Sequence, residues 1–308
     1  MTDKTPDARV TVVVVTYRSI GVVDAALRAL RPGYEEGLLQ CIVVDNNSPD
    51  GTADSVARDH PWARLVRSAE NLGYGRGCNL GFEMVETPYV LFMNPDVEFE
   101  SAEIRRLIRF METHPKAGIA APSTSLANGE FQHAGGVVTP RSLWAASFGF
   151  AGPPSLRRVV PGTAPFSTDW LCGAIMLLPS GLFRELGGFD RRFFLYFEET
   201  DLCVRVRKAG YELWAVGEVS AKHVGGASAK ATNPTLRHGD CLAEFYFPSR
   251  YYYLIKHHGR PAAFVTEALQ LTGMGLRDFA RLVLLRPSKR ELRTRLQAPL
   301  FCEPPGVD

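Results

Sequence analysis

The sequence has no uninterrupted apolar run of roughly 18 residues, the length a helical membrane span requires, so no segment is expected to cross a bilayer as a helix. It has no C-x-x-C pair either. The six cysteines, Cys41, Cys78, Cys172, Cys203, Cys241 and Cys302, stand far apart among mostly apolar neighbours. That spacing speaks against a zinc site or a disulfide framework and for reduced, buried thiols in the cytoplasm. Met1 to Arg9 is polar and lacks an apolar segment of signal-peptide length, which predicts a cytoplasmic chain. Net charge is nearly absent as well: a formal +2 over 308 residues does not suggest a nucleic-acid binder. What is present is the material of a core, 45% hydrophobic residues in a chain long enough for one large or two ordinary domains.

Strand and helix patterns alternate over about the first 96 residues. Val10 to Val15 is wholly β-branched and Cys41 to Val44 wholly apolar, as expected of parallel strands covered on both faces. Helical spacing follows each, over Val22 to Leu30 and from Ala53 to Arg58. Leu65 to Arg67 reads as a third strand. The glycine-rich stretch Asn71 to Asn79 leads into a predicted helix over Leu80 to Val85, and Tyr89 to Met93 is the next strand. This alternation is that of a doubly wound α/β sheet, whose ligand crevice lies at the carboxyl ends of the strands. Thr16 to Ser19, Asp45 to Thr52 and Asn94 to Asp96 fall at that edge. Asn94-Pro95-Asp96 reads either as a turn or as a site, with Asp96 a candidate ligand for a metal or a diphosphate.

Ala117 to Ala121, closed by Pro122, reads as a further strand, and Asn128-Gly129 as a hairpin turn. Gly149 to Pro165 is a Gly- and Pro-rich surface loop or linker. Trp170 to Leu178 is strand-like, and Ser180 to Glu185 a short helix. An aromatic block, Phe193 to Phe197, then runs into Glu198-Glu199-Thr200-Asp201 at the head of a helix reaching Ala209. Those carboxylates fit a well-capped helix, or a partly dry pocket in which one serves as a base with a raised pKa. Tyr211 to Val216 and Val219 to Val224 read as two strands. His223, followed by Gly225-Gly226-Ala227-Ser228, is a structural or a ligand histidine. The remainder is helical, over Leu242 to His257 and Ala262 to Leu285. Arg286, Lys289, Arg290, Arg293 and Arg295 form a basic patch suited to a solvated helix face or to an anionic bilayer surface.

Taken in order, Val15-Thr16-Tyr17, Val44 to Thr52, Asn71 to Asn79, Asn94 to Asp96, Gly187 to Asp190, Glu198 to Asp201 and His223 resemble glycosyltransferase family 2, most closely its bacterial rhamnosyltransferase-like branch. The resemblance covers about residues 9 to 258. It implies a GT-A fold: a Rossmann-like, mostly parallel central sheet flanked by helices, with a C-terminal helical extension here. The expected division is a catalytic domain over 1–232, its nucleotide-binding half about 9–122 and its acceptor half about 123–232, and an extension with a basic tail over 233–308.

The resemblance further implies a nucleotide-diphosphate sugar donor, a divalent cation (Mg²⁺ or Mn²⁺) and inversion at the anomeric carbon. Thr16, Tyr17, Asp45, Asn71, Gly73 and Asn94 would line the nucleotide, and Asp96 and His223 would hold the metal. Glu199 would be the base, with Glu198 and Asp201 as alternatives, because Glu199 is one methylene longer than the Asp usual there. Asn94 likewise replaces the first Asp of the family's Asp-x-Asp signature. The donor expected first is dTDP-rhamnose, then uridine-diphosphate sugars. The acceptor expected is a glycan or a polyprenyl-linked intermediate in cell-surface polysaccharide synthesis, with peripheral contact at the inner face of the plasma membrane through the basic C-terminus. Two rivals are weighed: a non-catalytic sugar-nucleotide binder, and a nicotinamide-dependent oxidoreductase, whose glycine fingerprint fails at Cys78.

Overall fold

The computed structural model describes residues 8–148, 156–223, 242–284 and 291–304. Part of the Gly149 to Pro165 loop, Gly225 to Ser228, Cys241, and Arg286, Lys289 and Arg290 lie outside the described residues. The first strand, β1 (Val10–Thr16), is buried at every position. Val10, Val12 and Val14 enter one core layer and Val13 and Val15 the other, so the run lacks the alternation of a half-exposed strand.

From β1 the chain passes through α1 (Val23–Glu35), β2 (Leu39–Asp45), α2 (Thr52–Asp59), β3 (Arg64–Arg67) and α3 (Tyr74–Phe82), and returns as β4 (Tyr89–Met93). Next come β5 (Val97–Glu98), α4 (Ser101–Thr113), β6 (Ala117–Leu126), β7 (His133–Ala134), α5 (Pro140–Ser147), β8 (Arg157–Arg158) and β9 (Phe166–Thr168). Then follow β10 (Ile175–Pro179), α6 (Ser180–Glu185), α7 (Glu198–Lys208) and β11 (Glu212–His223). A π-helical turn, Leu242–Tyr246, leads into α8 (Phe247–His258), α9 (Arg260–Val283) and α10 (Glu291–Gln297).

The main sheet has the order β3-β2-β1-β4-β10-β6-β11-β5, with β9 on β11. β1 pairs in parallel with β2 and β4, β2 with β3, and β6 with β11, while β10 runs antiparallel between β4 and β6. The chain moves outward from β1 to β3 and then returns to the other side of β1. That reversal opens a crevice at the carboxyl ends of β1 and β4, where such sheets bind ligands.

Helix α3 starts at Tyr74, six positions before the Leu80 expected from the sequence. Its glycines are helix-weakening locally, but they let the helix lie against the sheet: a Cβ at Gly77 would stand 2.7 Å from Val15 Cγ1, and one at Gly81 2.5 Å from Val13 Cγ1. Close packing thus overrides propensity. Strand β6 does not stop at Pro122 but continues to Leu126, and the two strands expected after Tyr211 are one. Both differences have one cause: Pro122 has no N–H to give, and β11 bulges between Val216 and Ser220 just where it faces Pro122. The Asn128-Gly129 turn forms as expected, with the Gly129 amide donating to the Leu126 carbonyl.

Helix α8 seats Tyr251, Tyr252, Tyr253 and Leu254 against Phe193 and Phe197, so the C-terminal helices support the segment that carries the acidic cluster. The basic patch needs a correction at Arg295. It is buried, not part of a solvated face, and it pairs with Glu267 of α9, which also takes Arg250 of α8. A carboxylate shared between two guanidinium groups is what makes three buried charges tolerable at one point. Cys302 is exposed, against the expectation of buried thiols, while Cys41, Cys78 and Cys203 are buried. Among the described residues no helix is long and apolar enough to cross a membrane.

Candidate active site

A cavity of about 300 Å³ opens at the crevice between β1 and β4. Tyr17, Asn71, Gly73, Asn94, Asp96, Glu198, Glu199 and His223 all line it, although they come from five separate stretches of chain. Thr16 and Asp45 stand behind the wall. The Thr16 hydroxyl donates to Asp45 Oδ1 at 2.9 Å, and the Ser48 hydroxyl and amide donate to Oδ1 and Oδ2 at 2.6 and 2.9 Å. These bonds hold a buried carboxylate in one orientation and brace the loop after β2.

Asp96 follows β4 and is only 2% exposed, yet neither of its carboxylate oxygens has a hydrogen-bond partner. His223, at the end of β11, brings Nε2 to 3.1 Å from Asp96 Oδ1 without hydrogen-bond alignment. The pairing of His223 with Val97 across β11 and β5 fixes that approach. A buried carboxylate with bare lone pairs beside a half-buried imidazole suits a shared cation. The Gln132 amide lies 2.9 Å from His223 Nδ1, and turning its oxygen to the ring leaves Nε2 free as a ligand. Among the described residues no group of three or more His, Cys, Asp or Glu side chains could hold a metal. Two protein ligands fit a Mg²⁺ or Mn²⁺ that completes its shell with phosphate oxygens and water.

Gly73 sits at φ 78°, ψ 178°, a backbone region essentially confined to glycine. A Cβ there would collide with the Phe194 carbonyl oxygen, which accepts from the Tyr74 amide at 3.1 Å. Asn71 Oδ1 accepts from the Gly73 amide and Asn46 Nδ2 donates to its carbonyl, both at 3.0 Å. Gly73→Ala is expected to cost roughly 2–4 kcal/mol from strain and collision together, and to weaken nucleotide binding, as read by chemical denaturation and ligand titration. A second tie holds the same loop, for Asn79 clamps Phe189 through two 2.8 Å bonds.

The acidic cluster is aimed by strain. Tyr196 and Phe197 adopt consecutive left-handed conformations, φ 67° and 69°, before α7 begins. Such conformations cost of order 1–3 kcal/mol each and persist where packing over-determines them. Here Phe197 packs on Tyr246 and Tyr253, and the Ser249 hydroxyl donates to the Leu195 carbonyl at 3.0 Å. The turn brings Glu198 and Glu199 into the cleft. Burial, then the charge of Glu199, pushes the Glu198 carboxyl up to about 8. Burial raises Glu199 as well, opposed by its hydrogen bonds to Thr200 and Trp170. Trp170 Nε1 lies 3.0 Å from Thr200 Oγ1 and 3.4 Å from Glu199 Oε1, which also accepts from the Thr200 hydroxyl at 3.0 Å.

Because the folded state holds the Glu198 proton to higher pH than the unfolded chain, it is progressively destabilised as pH rises from about 4.5 to about 8. In the metal-free protein, Glu198→Gln should flatten this decline by up to about 1.4 kcal/mol per pH unit, as read from urea unfolding at several pH values.

Asp201 has a different setting. It is fully buried and does not line the cleft. His257 Nε2 stands 2.8 Å away, Lys256 Nζ 2.7 Å and Arg205 Nε 2.7 Å. Burial works against its charge, but His257, Arg205 and Lys256 hold the carboxyl down to about 2. A carboxylate so satisfied is a poor proton acceptor and a good anchor between α7 and α8. Sequence reasoning missed Tyr74, Cys172 and Tyr196 as parts of the cleft, and Trp170 as the donor that reaches Glu199 and Thr200. Only the Gly-Ala step at 173 and 174 hinted at a wall there: Gly173 leaves room for the Glu199 side chain, whose Cβ would lie 3.0 Å from a Cβ at 173.

Comparison with known proteins identifies the family. The chain is 29% identical over 238 residues to an N-acetylglucosaminyl-diphospho-decaprenol L-rhamnosyltransferase of Mycobacterium tuberculosis, covering 68% of this chain and 73% of that protein. Among solved structures it is similar in fold to residues 1–349 of TarS from S. aureus, with a TM-score of 0.51 at 14% identity, covering 94% of this chain and 90% of that one. It is likewise similar to the mannosyltransferase PcManGT of Pyrobaculum calidifontis, solved with GDP-Man and Mn²⁺, with a TM-score of 0.51 at 17% identity over 95% of this chain and 86% of that one. The family model for glycosyl transferase family 2 matches residues 11–169, just over half of the sequence. The chain therefore belongs to glycosyltransferase family 2, as a GT-A-fold glycosyltransferase similar to the family's rhamnosyltransferases.

Proposed function

We propose that the chain moves a sugar from a nucleotide-diphosphate donor to a hydroxyl of a glycan or polyprenyl-linked acceptor, with inversion, in cell-surface polysaccharide synthesis. The convergence of Asp96, His223 and Glu199 on one cavity is the observation that carries this reading. Rhamnose from dTDP-rhamnose is the donor proposed first, supported by the name of the mycobacterial relative. The same name supports a lipid-linked acceptor and hence peripheral contact with the inner face of the plasma membrane.

In this reading Tyr17, Asn71, Gly73 and Asn94 bound the nucleotide pocket, with Thr16 and Asp45 bracing its floor. A divalent cation bound by Asp96 and His223 would offset the negative charge that develops on the departing diphosphate. Glu199 takes the proton of the attacking hydroxyl, and burial suits it to the task by raising its pKa towards neutrality. Trp170 and Thr200 are positioning residues that hold Oε1 in place. Glu198 lies beside it, and burial with the charge of Glu199 holds its proton to higher pH than an ordinary carboxyl would. The division of the chain into a catalytic unit, 1–232, and a helical extension, 233–308, belongs to the same proposal. The extension supplies Lys256 and His257, which help anchor Asp201.

The test is a thermal-shift panel of dTDP-, UDP- and GDP-sugars with and without Mn²⁺. Stabilisation by dTDP-rhamnose only with metal supports the reading. A response to another nucleotide family replaces the donor, and metal-independent stabilisation without transfer to any acceptor favours a non-catalytic binder.

A further inference from the structure

Helix α9 is turned inside out. Its inward face buries Thr266, Glu267 and Gln270 beside Ala263 and Gly273, and Glu267 there receives Arg250 and Arg295. Its outward face carries Phe264, Val265, Leu276, Phe279, Leu282 and Val283, all exposed, Phe279 to 65% and Leu282 to 71%. At 3.6 residues per turn these six fall on one half of the helix. The charged residues of α9, Arg260, Glu267, Arg277, Asp278 and Arg281, fall on the other half. A helix at the surface of a globular protein has the opposite polarity. The 24 residues of α9 extend about 36 Å, and Phe301 stacks on Phe264 at 4.8 Å between ring centres to widen the strip. Between Val265 and Leu276 this face carries Ala268, Thr272 and Gly275, so its large apolar residues gather towards the two ends of the helix, and exposed apolar residues so grouped mark an interaction surface.

We infer that this outer face of α9 lies in the headgroup region of an anionic lipid bilayer, with the helix parallel to the membrane plane. Charge selects the occupant. The sequence directly after α9 contains Arg286, Lys289, Arg290 and Arg293 against the single acid Glu291, a composition that anionic headgroups attract. The inference deepens the membrane contact proposed above by naming the apolar surface that enters the bilayer, and it does not depend on which sugar is moved.

The full chain is to be floated with vesicles of phosphatidylglycerol and phosphatidylcholine, and with phosphatidylcholine alone. Association is expected to be at least about tenfold stronger with the anionic vesicles, and F279D/L282D should lower it at least about tenfold. Both positions are exposed, so the variant should keep its circular dichroism and its metal-dependent response to donor. The proposal is overturned by a wild-type chain that fails to float with anionic vesicles, by a variant that floats as well as wild type, or by a wild-type dimer that the variant dissociates. Flotation that persists where no nucleotide sugar binds would leave the bilayer seat standing and remove only the functional reading.

Discussion

Glu199→Gln is expected to lower kcat for sugar transfer by about 10²- to 10⁴-fold while leaving donor affinity nearly unchanged. The amide keeps the shape of the carboxylate and can still accept from Thr200 and Trp170 through its oxygen, so the cleft stays assembled. What it loses is the capacity to take a proton. A transfer assay set beside donor titration separates the two effects, and full turnover by the variant would move the base elsewhere, with Glu198→Gln as the next variant to assay. The wild-type enzyme should also lose kcat as pH falls through the raised pKa of Glu199, because the base must be ionised to act. That acidic limb should vanish along with the activity in the Gln variant. Trp170→Phe, which removes one donor from Glu199 Oε1, should shift the limb without abolishing transfer.

The second large effect concerns stability. Asp201→Ala is expected to destabilise the fold by about 3–5 kcal/mol, since it leaves the Arg205 guanidinium and His257 Nε2 without their buried acceptor, while Lys256 keeps Asp190. Urea unfolding at neutral pH reads the loss directly, and a cost below about 1 kcal/mol would mean that Arg205 and His257 find other partners. The pH dependence has a definite sign. The folded pKa of Asp201, about 2, is below that of the unfolded chain, so the folded state gains from its ionisation. This stabilisation is fully present above about pH 4 and is lost as pH falls through about 2. The Ala variant should therefore show a shallower acid limb than the wild-type protein, the reverse of the Glu198 effect, whose stability cost grows towards alkaline pH.

These two neighbours illustrate how far sequence reasoning reaches. Apart from the family resemblance, which puts Glu199 first, Glu198, Glu199 and Asp201 are equivalent in a linear reading: three acids at the head of one helix. Their separation into a proton-holding carboxyl, a candidate base and a salt-bridged anchor depends on groups distant in the chain. Trp170 approaches Glu199 from before β10, and Lys256 and His257 reach Asp201 from α8. Nothing local to residues 198–201 encodes those approaches. The same holds for Arg295, which reads as one of several tail cations and is in fact the buried partner of Glu267.

By contrast, the sheet was legible because its signal is local. A strand covered on both faces must be apolar at successive positions, and Val10 to Val15 and Tyr89 to Met93 meet that demand. The turn-forming residues that end these strands mark the crevice for the same reason, so Asp96 could be singled out from its place after β4. Helix α3 was placed too late because its glycines oppose helix formation over a short span and earn their place only by contact with Val13 and Val15.

The sequence by itself therefore determined the α/β architecture and the edge at which a ligand would sit, because periodicity and turn chemistry act between near neighbours, while the place of Glu199 and His223 beside Asp96 was implied only by the family resemblance. Tertiary structure alone decided which carboxylate faces the cleft, which cations are buried and which side of α9 is left to the surroundings. Those outcomes are set by burial and by charges brought together across the fold, and both arise only when distant segments pack.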